Sequence, residues 1–402
     1  MRYSRQEIIK GWNQDKLKNS KVVVVGSNNL ASFVLLDLIS MGFGNITRVG
    51  DHSFSFVDFK KINPEVSLHE IPDKIYFHAM AQEYIGKPDL LIETSRSNYQ
   101  KSVCLEHALG NDIPTISARC SSGSYSILQV EKNKDVETIL GSHNIGNRFS
   151  DGELNAIIVS GILVNEARKK LMPLENDQIL NEIFVKNREY DQINSRILMV
   201  GAGATGTFAG IGLACKGAKV DIVDFDEVEE SNLNRQILFY DSIGKYKSEV
   251  MADKLSICKD FKGIVEKVDG NFKLKDKYDV ILSCVDNKKA RYYLDLISYN
   301  TEIPLINCGT SSFAGIVNTY FPGKTACLDC QMFGALTDLE KEEKNNSCYE
   351  PGIITTNQTI GGLLVSRIPR LYDTDLYTIK YDCNGQIKKL KTLEKCLSTC
   401  KK

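Results

Sequence analysis

The feature that most constrains this chain is that it repeats itself. KVVVVGSNNLASFVLLDLISMG (21–42) and RILMVGAGATGTFAGIGLACKG (196–217) each run from a short apolar strand through a glycine turn into an apolar helix. KPDLLIETSRSNYQKSVCLEHALGNDIPTISARCSSGSYSI (87–127) pairs with KYDVILSCVDNKKARYYLDLISYNTEIPLINCGTSSFAGIV (277–317). Each of these is a strand, a polar turn, a helix, and a further strand after Ile-Pro. NAIIVSGILVNEARKKL (155–171) pairs with NQTIGGLLVSRIPRLY (357–372). Two unrelated nucleotide-binding domains would share the opening strand–turn–helix. Three matched blocks in one order instead predict a single α/β unit used twice. The total of 402 residues suits more than one domain. The junction falls in 172–195, dividing a domain of residues 1–175 from one of residues 176–402.

The expected fold class is therefore α/β, with two Rossmann-like units, central mostly parallel sheets, and an intramolecular pseudo-dimer arrangement. The copies have diverged in one direction. The second turn reads G-x-G-x-x-G, with Gly201, Gly203 and Gly206, where the first has Gly26, Asn28 and Ala31. Glycine lets backbone approach a phosphate, whereas Asn28 puts a side chain there. At the end of the next strand, Asp224 and Asp226 stand where the first copy has Gly50 and His52. Asp286 of SCVDN matches Arg96 of ETSRS, and an arginine cannot hold a metal ion. The first half reads as a dead copy and the second as a live one.

A glycine loop followed by an acid suits NAD as well as ATP. The run DFDEVEESNLNRQILFYDSIGKYKSEVMADKL (224–255) then favours ATP. It gathers Asn232, Arg235, Gln236 and Lys247 just after Asp224. Cations with a carboxylate such as Asp286 suit a triphosphate carrying Mg²⁺. NAD carries only a pyrophosphate and needs no metal.

The motifs DFDEVEESNLNRQILF…IGKYK and VDN…R, with the cysteine pairs below, resemble the ThiF/MoeB/HesA family and the adenylation domains of ubiquitin-activating enzymes. The resemblance covers nearly all of the second half, and in the first half only RYSRQEIIKGW. It implies Mg-ATP-dependent adenylation of a carboxylate on a small ubiquitin-like carrier protein or a precursor peptide. By that resemblance Asp224 holds ribose, Asn232, Arg235 and Lys247 contact phosphates, and Asp286 holds Mg²⁺. Asp226, Gln236 and Asn287 complete the nucleotide-binding set. The resemblance also implies that Arg5, in RYSRQ, reaches the other half's phosphates, so the first half survives as a helper. The adenylate would serve sulfur or thioester transfer, as in thiamine or molybdopterin pathways, or peptide maturation. The other readings are a non-catalytic peptide-binding partner and an NAD-dependent oxidoreductase.

Twelve cysteines without a secretion signal point to a reducing, cytoplasmic setting. CLDC (327–330) and CLSTC (396–400) predict a structural zinc site of Cys327, Cys330, Cys396 and Cys400. The wider gap in the second pair leaves Cys383 as an alternative to Cys400. Cys348 follows the charged loop TDLEKEEKNN (337–346) and is either an acyl or sulfur acceptor or dispensable. Cys215, Cys258, Cys284 and Cys308 read as core. A net charge of −1 gives no electrostatic case for nucleic acid, and no apolar run is long enough for a membrane span.

Overall fold

The computed structural model describes residues 2–51, 57–72, 85–132, 134–143, 152–256, 260–336, 351–373, 376–382, 384–398 and 400. His52, Cys258, Cys348 and Cys383 lie outside the described residues. The chain divides into two compact units. The first comprises Met1–Glu189, Leu233–Tyr240 and Ile353–Thr355; the second comprises Tyr190–Asn232, Asp241–Gly352 and Thr356–Lys402.

The first unit contains β1 (Lys21–Val25), β2 (Asn45–Val49), β3 (Ser67–Ile71), β4 (Leu90–Glu93), β5 (Thr115–Cys120), β6 (Ser124–Val130) and β7 (Glu182–Lys186). They form one sheet in the order β3-β2-β1-β4-β5-β6-β7. The first five positions pair parallel, and β6 and β7 add antiparallel. Because β7 belongs to this sheet, the first unit extends to Glu189.

The second unit contains β8 (Arg196–Val200), β9 (Lys219–Val223), β10 (Phe261–Ile264), β11 (Val280–Ser283), β12 (Leu305–Thr310), β13 (Gly315–Tyr320), β14 (Tyr377–Tyr381) and β15 (Ile387–Lys391). Its order is β10-β9-β8-β11-β12-β13-β14-β15, which is the first order with one strand added. The strand order thus repeats as the sequence blocks do.

The central strands are near-continuous apolar runs because helices cover both faces of a parallel sheet. Val22–Val25, Ile197–Val200 and Val280–Ser283 are buried throughout. The helices that follow the glycine turns, Asn29–Met41 and Ala204–Cys215, bury nearly every residue. In the second unit small residues permit close helix contact. A Cβ on Gly361, in the helix Ile354–Ser366, would lie 2.8 Å from the Phe208 Cβ. In each sheet the strand order reverses between the first strand and the fourth. Ligands of such folds bind at that crevice, outside the carboxyl ends of the strands. Among the described residues no helix is long and apolar enough to cross a membrane.

Candidate nucleotide site and cysteine cluster

In the second unit, the turn after β8 and the segment after β11 flank that crevice. The three glycines of the turn have different reasons to be glycine. Gly201 has φ +100°, and a Cβ there would lie 2.6 Å from the Cys284 carbonyl oxygen. A Cβ on Gly206 would lie 2.1 Å from the Gly201 oxygen. Both are demanded by packing. Gly203 is not: its φ is −75°, and a Cβ there would meet nothing within 4 Å. It is the N-cap of Ala204–Cys215, and no side chain caps that helix. Open space at a helix N-terminus is what an anionic group uses.

Asp224 ties this turn to the next loop. Its Oδ2 accepts from Ala202 N at 2.6 Å, and its Oδ1 from Asp226 N at 2.8 Å. Burial raises its pKa, and the two backbone donors offset part of that. Lys247 opens the helix Lys247–Leu255, is buried, and reaches Asp226 Oδ2 with its Nζ at 3.0 Å. Ser248, which sequence reasoning missed, donates its Oγ to the Asp224 carbonyl at 2.8 Å. The turn, Asp224, Asp226 and Lys247 therefore form one chain of contacts.

Asn232 lies in the turn Glu230–Asn232, and its Oδ1 accepts from Glu229 N at 3.0 Å. Asp286 is exposed and has no ion pair among the described residues. Asn287 caps the helix Lys288–Thr301 by accepting from Ala290 N at 2.8 Å. Arg291 donates to the Val285 carbonyl from Nη2 at 2.7 Å and Nε at 3.1 Å, fixing the residue before Asp286.

Arg5, Arg235 and Gln236 belong to the first unit. Within it their segments adjoin. Asn234 Nδ2 donates to Gln6 Oε1 at 3.3 Å, and Arg235 Nη1 donates to Asn234 Oδ1 at 2.8 Å. Arg2 Nη1 donates to the Leu233 carbonyl at 3.2 Å. The stretches RYSRQ and LNRQ (233–236) thus lie side by side.

The four predicted cysteines converge. The sulfurs of Cys327, Cys330, Cys396 and Cys400 all lie within 4.8 Å of one another, so Cys400 joins the cluster. Cys327 Sγ is 3.9 Å from Cys400 Sγ. A tetrahedral zinc with about 2.3 Å bonds separates its sulfurs by about 3.8 Å, so the arrangement fits zinc. Cys327 and Cys330 sit in the core with Leu328 and Leu336. Asp295, which sequence reasoning also missed, holds their turn: its carboxylate accepts from Leu328 N and Asp329 N, each at 3.0 Å.

Residues 175–395 match the ThiF family. The chain belongs to the ThiF family. The SUMO-activating enzyme subunit uba-2 of Caenorhabditis elegans is 33% identical over 147 residues, 34% of this chain and 25% of that protein. The ubiquitin-activating enzyme E1-like protein of Saccharomyces cerevisiae is 35% identical over 147 residues, 34% of this chain and 23% of that protein. The NEDD8-activating enzyme E1 catalytic subunit of Caenorhabditis elegans is 32% identical over 158 residues, 35% of this chain and 37% of that protein. The chain thus spans about a quarter to a third of the length of these curated relatives. Among solved structures, E. coli MccB with ATP is similar with a TM-score of 0.43 and 22% identity, covering 52% of this chain and 66% of that one.

In contrast to the second unit's open turn, the first unit's turn is filled by its own side chains. Asn28 accepts from Ala31 N at 2.8 Å, capping Asn29–Met41, and donates to the Thr94 carbonyl at 2.6 Å. Ser27 Oγ accepts from Asp51 N at 3.0 Å. A Cβ on Gly50 would lie 2.3 Å from the Gly26 oxygen, so no side chain fits at the position that matches Asp224 in sequence. Arg96 stands where the second unit has Asp286, and its carbonyl accepts from Arg119 Nη2 at 2.6 Å.

Proposed function

We propose that the second unit binds ATP and transfers its adenylyl group to a carboxylate. The observation that carries this reading is the open Gly203 position at an uncapped helix N-terminus, joined through Asp224 and Asp226 to Lys247. The turn's backbone donors receive phosphate oxygens, and Asp224 keeps lone pairs for ribose hydroxyls. Lys247 turns from Asp226 to phosphate oxygens, and Asn232, Gln236, Asn287 and Arg235 complete the nucleotide contacts. Asp286 would hold Mg²⁺, which supplies charge neutralisation on the phosphates when bound. The substrate carboxylate attacks the α-phosphorus, the bond to the bridging oxygen breaks, and pyrophosphate leaves an acyl-adenylate. A carboxylate is ionised at neutral pH, so no general base is required. Arg5, Arg235 and Lys247 act by positioning and charge.

The relatives' names favour a carrier of the ubiquitin type, and a precursor peptide with a free carboxylate is the other acceptor of this chemistry. Cys348 is the candidate acceptor of the acyl group or sulfur. The cysteine cluster holds a structural zinc that ties Cys396 and Cys400 to the core. The test is exchange of labelled pyrophosphate into ATP with ubiquitin-like carriers or peptides as acceptors. Exchange lost in Asp286→Ala, with an unchanged melting curve, supports the proposal. No exchange with any acceptor, together with tight NAD(H) binding, replaces it with the oxidoreductase reading. ATP and peptide binding without exchange replaces it with the non-catalytic partner.

A further inference from the structure

The second unit carries another pair of thiols, apart from the cysteine cluster. β12 runs beside β11 with Asn307 opposite Ser283, so the next step of the register sets Cys308 opposite Cys284. Facing Cα atoms on neighbouring strands lie about 4.8 Å apart, within the range of roughly 4.4–6.8 Å that a disulfide spans. The two thiols lie close enough to shift each other's ionisation. Cys308 Sγ also donates to the Ser283 carbonyl at 3.4 Å. Cys308 is buried, and Cys284 is partly so. Interaction with Cys284 holds the Cys308 thiol below its ordinary pKa, with Arg291 acting in the same direction, while interaction with Cys308 and burial hold the Cys284 thiol well above it, so Cys308 supplies the thiolate. A thiolate is the reactive form. In the first unit the register of Glu93 with Ser117 sets Thr94 opposite Ala118, so only the second unit has the pair.

Cys284 is also the floor of the glycine turn. Its N donates to the Val200 carbonyl at 2.8 Å, and its carbonyl oxygen lies against Gly201. Its Cβ is 3.6 Å from where a Gly206 Cβ would stand. Asp286 follows two residues later.

We propose that Cys284 and Cys308 form a reversible disulfide that switches off nucleotide binding in the second unit. With hydrogen peroxide as oxidant, one thiolate attacks a peroxide oxygen, the O–O bond breaks, and the departing hydroxide takes up a proton, leaving a sulfenic acid and one water. The second thiol then displaces a second water as the S–S bond forms. Two thiols are oxidised and one peroxide is reduced, and a dithiol reverses the step by exchange. The bond pulls the Cys284 side chain toward β12, shifting the floor of the turn and the segment bearing Asp286. This effect rests on the second unit being the nucleotide site.

The full-length protein, loaded with zinc, is treated with hydrogen peroxide, alkylated, digested and mapped by mass spectrometry. Mg-ATP binding is measured by calorimetry on reduced, oxidised and dithiothreitol-restored samples. The expected result is a peptide pair linked through Cys284 and Cys308, with ATP affinity reduced about tenfold or more and then restored. Cys308→Ser should bind ATP equally before and after peroxide. Unlinked Cys284 and Cys308 in a sample whose other cysteines are oxidised would overturn the proposal. So would a linked sample with unchanged affinity, or a Cys308→Ser protein that still loses binding. A reduced protein that binds no ATP overturns the nucleotide reading and the switch together, while the linked peptide still decides the disulfide.

Discussion

Replacing Gly203 by alanine separates ligand binding from folding at one atom. At Gly201 and Gly206 a Cβ would strike backbone oxygens at 2.6 Å and 2.1 Å, so substitution there disturbs the fold itself. At Gly203 the backbone is in a region open to any residue, and the Cβ enters open space. Alanine is a poorer N-cap than glycine by up to about 1 kcal/mol, and the freedom lost by the unfolded chain, about 0.4–1 kcal/mol, offsets this, so folding should be nearly unchanged. If that space admits a phosphate, the methyl group must displace it. Overpacking by one carbon costs about 1–3 kcal/mol, a loss of about 5-fold to 150-fold in ATP affinity. Gly203→Asn goes further and installs the first unit's arrangement. Its side chain should cap Ala204–Cys215, adding a few tenths of a kcal/mol relative to glycine, while abolishing nucleotide binding. Calorimetric titration with Mg-ATP and thermal denaturation of the same samples read the two effects. Unchanged ATP affinity in both variants, with normal melting, would refute the assignment of this turn to phosphate.

Three further outcomes are expected. Asp37 is fully buried, neither carboxylate oxygen has a hydrogen-bond partner among the described residues, and burial raises its pKa well above the ordinary value. The folded state therefore keeps the proton: the contribution is whole below about pH 3.9 and falls by about 1.4 kcal/mol per pH unit up to the folded pKa. Asp37→Asn should remove that slope, so its advantage over wild type in urea melts should grow from pH 5 to pH 7.5; a constant difference would refute the reasoning. Changing Cys327 and Cys330 to serine should release about one zinc per chain and lower the melting temperature, and a metal-free, equally stable wild type would contradict the zinc site. Arg5→Ala should slow pyrophosphate exchange about tenfold or more, by loss of a phosphate-contacting cation, with little change in melting; a wild-type rate would end its proposed role.

The repeated fold was legible because buried parallel strands are written as unbroken apolar runs, and the glycine turns mark their ends. The contrast between Gly203 and Asn28 was legible too, since each is a residue type with one steric meaning. β7 was not. Its EIFVK alternates exposed and half-buried residues at a sheet edge and carries the weak signal of a linker. Nor could sequence say that Leu233–Tyr240 packs into the first unit, because that placement depends on contacts such as Asn234 with Gln6 rather than on local pattern. Cys400 was uncertain from its spacing, and the turn closed by Cys400 N on the Leu397 carbonyl brings it to the cluster. Cys284 and Cys308 read as separate core residues, since only strand register reveals that they face each other. Ser248 and Asp295 act on backbone groups, and such roles leave no motif.

On the function proposed here, one unit of the repeat holds a working nucleotide site and the other does not. The most direct measurement is the stoichiometry of Mg-ATP bound to the reduced, zinc-loaded chain by titration calorimetry, repeated on Gly203→Asn. The wild type should bind one ATP per chain and the variant none. Two ATP per chain, or one that survives Gly203→Asn, would contradict it.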